Sequence, residues 1–327
     1  MVTSRYPIAR GPVGVQTVIL GSELIDESER YAAELLALGD TPIRGRDIKD
    51  HRENGFQNRK PSRHDDVTIL DRIVSVGAQS VALRQFLPLT PPRGAYLHFH
   101  GGGWVFGAAN MYDDELADLS HDLGIAVFSV EYRLAPEHPF PAPLDDAETA
   151  ARWFIGEGSR EFSLHRAVIG GWSAGAHLVA TTLQRLALTG DAEAFCAANL
   201  LYGIFDLSMS PSQRAARETP RLSREDLEWY YEMATPSLTL EERRSESISP
   251  LYGDFGAMPP ARFAVGTLDP LFDDSTFMAE RWAGAGSPAT LEVYLAGAHG
   301  FARQPNGLGV LARQREADFL ALHLGAD

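Results

Sequence analysis

One cysteine, Cys196, is all that this 327-residue sequence contains, which excludes a disulfide framework within the chain and a cysteine metal cluster. It lies in the apolar stretch FCAANLLYG, where a small buried thiol is expected. Cations are also scarce: 29 Lys and Arg stand against 44 Asp and Glu, a formal net charge of -15. Nucleic-acid affinity rests largely on cations that neutralise phosphates, and no basic run appears, so a nucleic-acid partner is excluded. No apolar run reaches the roughly 18 residues that a membrane-spanning helix needs. The first twenty residues, MVTSRYPIARGPVGVQTVIL, have no continuous apolar segment after a basic start. No secretory leader is read there, and a cytoplasmic location is the expectation. Internal repeats, low-complexity tracts, G-K-[ST] and G-x-G-x-x-G are absent too, which removes the common phosphate loops.

What is present is ordinary globular composition, 44% hydrophobic and 22% charged, with length enough to bury one large core. From about residue 94, short runs rich in branched residues alternate with helical patterns, the signature of a mostly parallel sheet flanked by helices. Strands are expected at residues 95 to 100, 126 to 132, 166 to 171, 197 to 203, 261 to 267 and 290 to 295. Their near-continuous apolar character suits a sheet covered on both faces. VTILDRIVSV and SVALRQFL alternate around Gly77 as an antiparallel hairpin would. Two regions stand outside the alternation. Residues 1 to 65 are polar with one amphipathic helix, IDESERYAAELLAL, and residues 205 to 250 carry LSREDLEWYYEMA, in which Ser223 and Asp226 have capping-box spacing. Both are read as cap elements over residues 66 to 327, which form the α/β catalytic domain with the second region as an insertion.

Within that frame the stretch IGGWSAGAHL places Ser173 between a strand and a helix, in a G-x-S-x-G pattern. A tight strand-to-helix turn presents such a serine for nucleophilic attack; the alternative is a glycine-rich turn without chemistry. A serine needs a base, and the base an orienting acid. Asp269 follows the strand ARFAVGT and His299 follows TLEVYLAG, both at the carboxyl ends of strands, where ligand sites of open α/β sheets collect. Asp273 and Asp274 compete for the acid role but fall in the helix that begins there, so Asp269 is favoured. Three consecutive glycines in HFHGGGW leave backbone amides uncovered by side chains, so Gly102 and Gly103, with the amide of Ala174, suit an oxyanion hole. His98 and His100 share a strand face as a metal pair would, yet no third ligand is evident; His100 is read as a brace for the glycine loop.

HFHGGGWVFG, EYRLAPEHPFPAPLDD, GWSAG, LDPLFDD and AHGF, in this order over about residues 90 to 305, resemble the hormone-sensitive-lipase-like esterases, bacterial family IV of the α/β-hydrolase fold. The resemblance implies Ser173 as nucleophile, His299 as base, Asp269 as orienter, Gly102, Gly103 and Ala174 as oxyanion donors, and a helical cap. One departure is visible: where the family carries GDSAGG, this chain has Trp172 before the serine and Ala176 after the motif. Trp172 is read either as packing or as a wall of the substrate pocket.

The expectation is a serine carboxylesterase of small or short-chain acyl esters that needs no metal or organic cofactor. A small N-acyl amidase with the same triad is the nearest alternative, and a non-catalytic ligand-binding protein on the same fold the remote one. Trp104, Phe106, Trp172, Trp229 and Tyr230, with Tyr231, stand as pocket candidates or as cap core. Dimerisation is common in the family, so LARQREADFLALHL is read either as part of a homodimer interface or as a helix packed on the sheet.

Overall fold

A computed structural model of the protein describes residues 15–38, 43–54, 64–217 and 219–325. The first fourteen residues, where the lack of a leader was read, lie outside these, as do parts of the N-terminal region expected to belong to a cap. Runs of branched and aromatic residues form β1 (Gln16–Leu20), β2 (Val67–Val76), β3 (Gln79–Pro88), β4 (Ala95–Phe99), β5 (Ala126–Glu131), β6 (Ala167–Trp172), β7 (Ala197–Leu201), β8 (Ala261–Gly266) and β9 (Ala289–Tyr294). They make one sheet in the order β1-β9-β8-β7-β6-β4-β5-β3-β2. Only the β2–β3 hairpin, with β3 antiparallel to β5, departs from parallel pairing, as the alternation around Gly77 predicts. The six expected parallel strands form where they were read. β1, a five-residue run, was not foreseen; it pairs in parallel with β9 and covers that strand's outer edge.

The helices are α1 (Ile25–Leu38), α2 (Ile48–Asn54), α3 (Asp113–Leu123), α4 (Ala142–Trp153), α5 (Ser159–Glu161), α6 (Ala174–Ala187), α7 (Pro211–Ala215), α8 (Arg224–Ala234), α9 (Phe272–Gly284) and α10 (Gly307–Leu324). Carboxylates begin α3 and a left-handed Gly124 ends it, both favourable to a helix dipole and terminus. One face of the sheet packs Leu97, Ile169, Leu200, Phe263 and Leu291 against α4, α6 and α9, through Trp153, Leu183 and Trp282. The other packs Tyr96, Val168 and Tyr294 against α3 and α10, through Leu116, Phe319 and Leu320. The apolar positions of α10 thus cover the sheet, with Val310 and Leu322 left exposed.

The α10 face is not purely apolar. Asn199, Arg262 and Glu292 occupy alternate positions of β7, β8 and β9 and are fully buried. Glu292 accepts from Arg262 at 2.6 Å and pairs also with Arg315 of α10, while Arg262 reaches Asn199 at 2.9 Å. Asn199 in turn donates to Glu316 of α10 at 2.7 Å. The helix is therefore registered on the sheet by directed polar contacts as well as by packing.

Above the carboxyl ends of the strands sit α2 and α8. Ser223 caps α8, with Asp226 N donating to Ser223 Oγ at 3.1 Å and Ser223 N to Asp226 Oδ2 at 3.0 Å, the capping box its spacing predicts. Asp226 also accepts from Ile43 N at 3.2 Å, and Arg44 pairs with Glu232. Arg52 donates to the carbonyls of Val105 at 2.8 Å and Ala135 at 2.6 Å, which ties α2 to the chain just after the glycine loop.

Removing the central carboxylate of the α10 network leaves two buried guanidinium groups facing each other. Glu292→Ala is expected to lower the unfolding free energy by about 3 to 5 kcal/mol, read from urea denaturation. Burial also pushes His98 down to about 3 and His177 down to about 4. Both are neutral in the fold and take up protons near pH 6.5 when it unfolds. Their contribution is therefore present above about pH 6.5 and lost as the pH falls toward 4. The urea midpoint should decline over that interval, and His98→Phe should make the decline shallower.

Candidate active site

The site is built around the turn from β6 into α6. Ser173 has φ 56° and ψ -120°, a conformation that a non-glycine residue holds only where its surroundings enforce it. What enforces it is close contact: a Cβ on Gly175 would lie 2.0 Å from the Phe99 carbonyl oxygen, so the start of α6 presses directly on β4. Ser173 N donates to Leu201 O at 2.9 Å, which fixes the turn to β7 as well. The hydroxyl is thereby held at the bottom of a cavity of about 280 Å³ lined by Gly101, Gly102, Gly103, Tyr230 and His299 among others.

The loops after β8 and β9 bring the next two groups. His299 Nε2 lies 3.0 Å from Ser173 Oγ, and His299 Nδ1 lies 2.9 Å from Asp269 Oδ2. Asp269 is buried, and its other oxygen accepts from Leu271 N at 2.9 Å, so one carboxylate oxygen is committed to the turn and one to the imidazole. His299 rests edge-on against Tyr202, with ring centroids 5.1 Å apart. The competing carboxylates are engaged elsewhere. Asp273 Oδ2 accepts from Ser212 N at 2.8 Å. Asp274 is fully buried and takes four donors: Phe205 N, Asp206 N, Ser210 Oγ and Gln213 Nε2. Burial raises it to about 7, and it anchors the start of the insertion rather than facing the cavity.

The glycine loop opposes the serine. Gly102 and Gly103 have φ of 115° and 61°, and a side chain on Gly103 would overlap the Tyr230 ring. Neither amide donates to a protein acceptor among the described residues. Ala174 is the first residue of α6, so its amide has no acceptor within the helix. Gly102 and Gly103 line the cavity beside Ser173, and the Ala174 amide follows that residue directly in the chain. His100 stabilises the loop as expected: its Nδ1 lies 2.8 Å from Gly101 O, its carbonyl accepts from Tyr132 at 2.8 Å, and its ring stacks on Tyr132.

Of the aromatic pocket candidates, Tyr230 lines the cavity and the others do not stand among its described lining residues. Trp104 is fully buried against Phe140 and His177. Phe106 packs on Trp229, each mostly buried, and Tyr231 donates to Gln213 from the core. Trp172 points to the opposite face of the sheet: four residues beyond Val168 on the same strand, it shares that residue's face and donates from Nε1 to Glu316 at 3.1 Å. The bulky replacement for the family's aspartate is therefore α10-side packing. In its place the cavity takes Tyr112, Tyr202, Leu222, Leu227, Arg221 and Arg303, none of which was singled out in the sequence. Tyr112, Tyr202 and Arg221 lie in loops, Leu222 and Leu227 fall within the cap stretch LSREDLEWYYEMA, and Arg303 lies four residues after His299.

His98 is enclosed by Tyr96, Tyr112 and Trp172, so it offers no metal pair with His100. The grouping with ligand-like spacing among the described residues is His64, Asp66 and His121, remote in sequence from these motifs. Its histidines are accounted for by carboxylates, His64 by Asp118 at 2.6 Å and His121 by Asp66 at 2.9 Å.

A family model described as alpha/beta hydrolase fold matches residues 96–303. The chain is 31% identical over 252 residues to esterase LipI of Mycobacterium tuberculosis, covering 73% of this chain and 76% of that protein. It is 31% identical to an ethyl acetate hydrolase of Pseudomonas putida, covering 64% of this chain and 66% of that one. Among solved structures, an esterase of Pyrobaculum calidifontis superposes with a TM-score of 0.79 at 24% identity, over 90% of this chain and 99% of that one. An alpha/beta hydrolase enzyme from the metagenome of Lake Arreo does so at 0.79 and 27% identity, over 90% and 98%. The chain therefore belongs to the alpha/beta-hydrolase family, in the branch of hormone-sensitive-lipase-like esterases that its motifs resemble.

Proposed function

We propose that this protein is a serine carboxylesterase of small acyl esters that works through an acyl-enzyme on Ser173. The observation that carries the reading is the unbroken chain of contacts from Ser173 Oγ to His299 at 3.0 Å and from His299 to Asp269 at 2.9 Å. Ser173 Oγ attacks the ester carbonyl while its proton passes to His299 Nε2. The electron pair displaced onto the carbonyl oxygen is held by the amides of Gly102, Gly103 and Ala174. Collapse expels the alcohol, which takes the proton from His299, and leaves the acyl group on Ser173. Water then attacks the acyl-serine, giving its proton to His299, and the second collapse returns Ser173 and releases the acid. Asp269 keeps the proton of the resting imidazole on Nδ1, so that Nε2 is free to accept, and stabilises the imidazolium that forms twice per turnover.

Small acyl groups follow from the cavity, which at about 280 Å³ lies just below the range usual for small-molecule sites. The relative in Pseudomonas putida named for ethyl acetate supports the same size class. Ile43, Leu222, Leu227 and Tyr230 close the cavity from above, which supports reading residues 1–65 and about 205–250 as its cap.

The expected result with p-nitrophenyl esters from acetate to laurate is a kcat/KM that peaks at butyrate or shorter. Ser173→Ala should lower kcat by at least about 10⁴-fold, and Asp269→Asn by about 10⁴-fold, with circular dichroism unchanged. A folded Ser173→Ala variant that kept its turnover would remove Ser173 from the mechanism. The p-nitroanilide of the preferred acid should be a far poorer substrate than its ester; the reverse order would make the protein an amidase.

A further inference from the structure

The cavity over Ser173 is cationic in a chain that is otherwise strongly anionic. Among its described lining residues two carry charge, Arg221 and Arg303, and none is a carboxylate, although the whole chain has a formal net charge of -15. Arg303 comes from the turn that follows His299. Its position is preset on two sides: Nε donates to Glu115 at 3.1 Å, and the guanidinium carbon lies 4.5 Å above the Tyr112 ring. With Nε engaged, the two terminal nitrogens remain as the fork that guanidinium groups offer to carboxylates.

Arg221 comes from the insertion and adjoins Leu222, which lines the same cavity. Its backbone is in the left-handed region, φ 70°. Among the described residues it makes no ion pair, and its side-chain contact is with the Tyr31 hydroxyl at 3.3 Å. Both arginines reach solvent and Arg303 is already ion-paired with Glu115, so a neutral ester leaves them hydrated and gains nothing from them. An anionic group gains a first counter-charge partner in Arg221 and a second donor fork from Arg303, an attraction local to the cavity in a chain whose net charge of -15 otherwise repels anions.

We propose that the substrate is an ester carrying a second, anionic group, a carboxylate, which Arg221 and Arg303 hold while Ser173 attacks the ester carbonyl. The assignment rests on the esterase reading of the site. It makes the two arginines specificity determinants, since they bind the part of the substrate that does not react.

The test compares charged esters with neutral ones of similar length. Monoethyl succinate against ethyl pentanoate places the carboxylate on the acyl side; 3-acetoxypropanoate against propyl acetate places it on the alcohol side. The expected result is a kcat/KM at least about tenfold higher for the charged member in one arm, with Arg221→Gln and Arg303→Gln each raising its KM about tenfold and narrowing its advantage over the neutral ester. The preference should shrink as salt is raised from about 0.05 to about 0.5 M. Equal turnover of charged and neutral esters in both arms, or a preference that survives both Gln variants, overturns the proposal while leaving the esterase intact. Calorimetric binding of monoethyl succinate and 3-acetoxypropanoate to Ser173→Ala separates the two claims. Arginine-dependent binding in a protein that hydrolyses no ester keeps the anion site and sinks the esterase, whereas absence of arginine-dependent binding of either compound sinks the anion site.

Discussion

Everything chemical in this molecule depends on how closely the first turn of α6 approaches β4. Gly175 sits where a single added carbon would overlap the Phe99 carbonyl, and Gly171 sits against Gly175 with equally little room. That contact holds Ser173 in a backbone conformation it would otherwise leave. The rest of the sheet serves this arrangement: β8 and β9 lie beyond β7 in the order, so their end loops deliver Asp269 and His299 to one side of the serine while β4 delivers the glycine loop to the other. Strain at one residue is tolerable because both faces of the sheet are fully packed around it.

Both faces of the sheet serve the site. Tyr112 and Tyr202 from the α10 side line the cavity together with Leu227 and Tyr230 from the α6 side, and the α10 side adds a buried polar framework through Asn199, Arg262, Glu292, Arg315 and Glu316. Trp172 belongs to that framework although it adjoins Ser173: its backbone leads into the strained turn, and its indole is held by Glu316. Burial raises the Glu316 carboxyl above its ordinary value, so what holds the elbow from behind is a buried, hydrogen-bonded group.

Much of this was legible in the sequence, and the parts that were not share physical reasons. The parallel strands were readable because a strand covered on both faces must be a short apolar run, and Ser173, Asp269 and His299 were readable because each follows one. Trp172 was open to two readings only because its face was not counted; a period of two from Val168 puts it under the sheet. The polar framework was hidden inside those same apolar runs, since Arg262 in ARFAVGT and Glu292 in TLEVYL are single charges whose partners come from elsewhere in the chain. Arg221 and Tyr112 reach the cavity from positions just before α8 and α3, outside the helical period, and only tertiary structure brings them there. β1 was too short to stand out, and its pairing with β9 spans nearly the whole chain.

That pairing bears on assembly. In a sheet that ended at β9, the last strand would offer a row of free amides and carbonyls to a second copy, and two sheets would merge into one across a twofold axis. Here the row is already taken by the chain's own beginning, from Gln16 opposite Thr290 to Leu20 opposite Tyr294. At this end of the sheet, continuation between copies would have to run along β1, a strip of five residues whose side chains alternate between half-buried and exposed and carry no charge. The N-terminal segment thus acts as the selvedge of the fabric, a woven border that decides where the cloth can be joined.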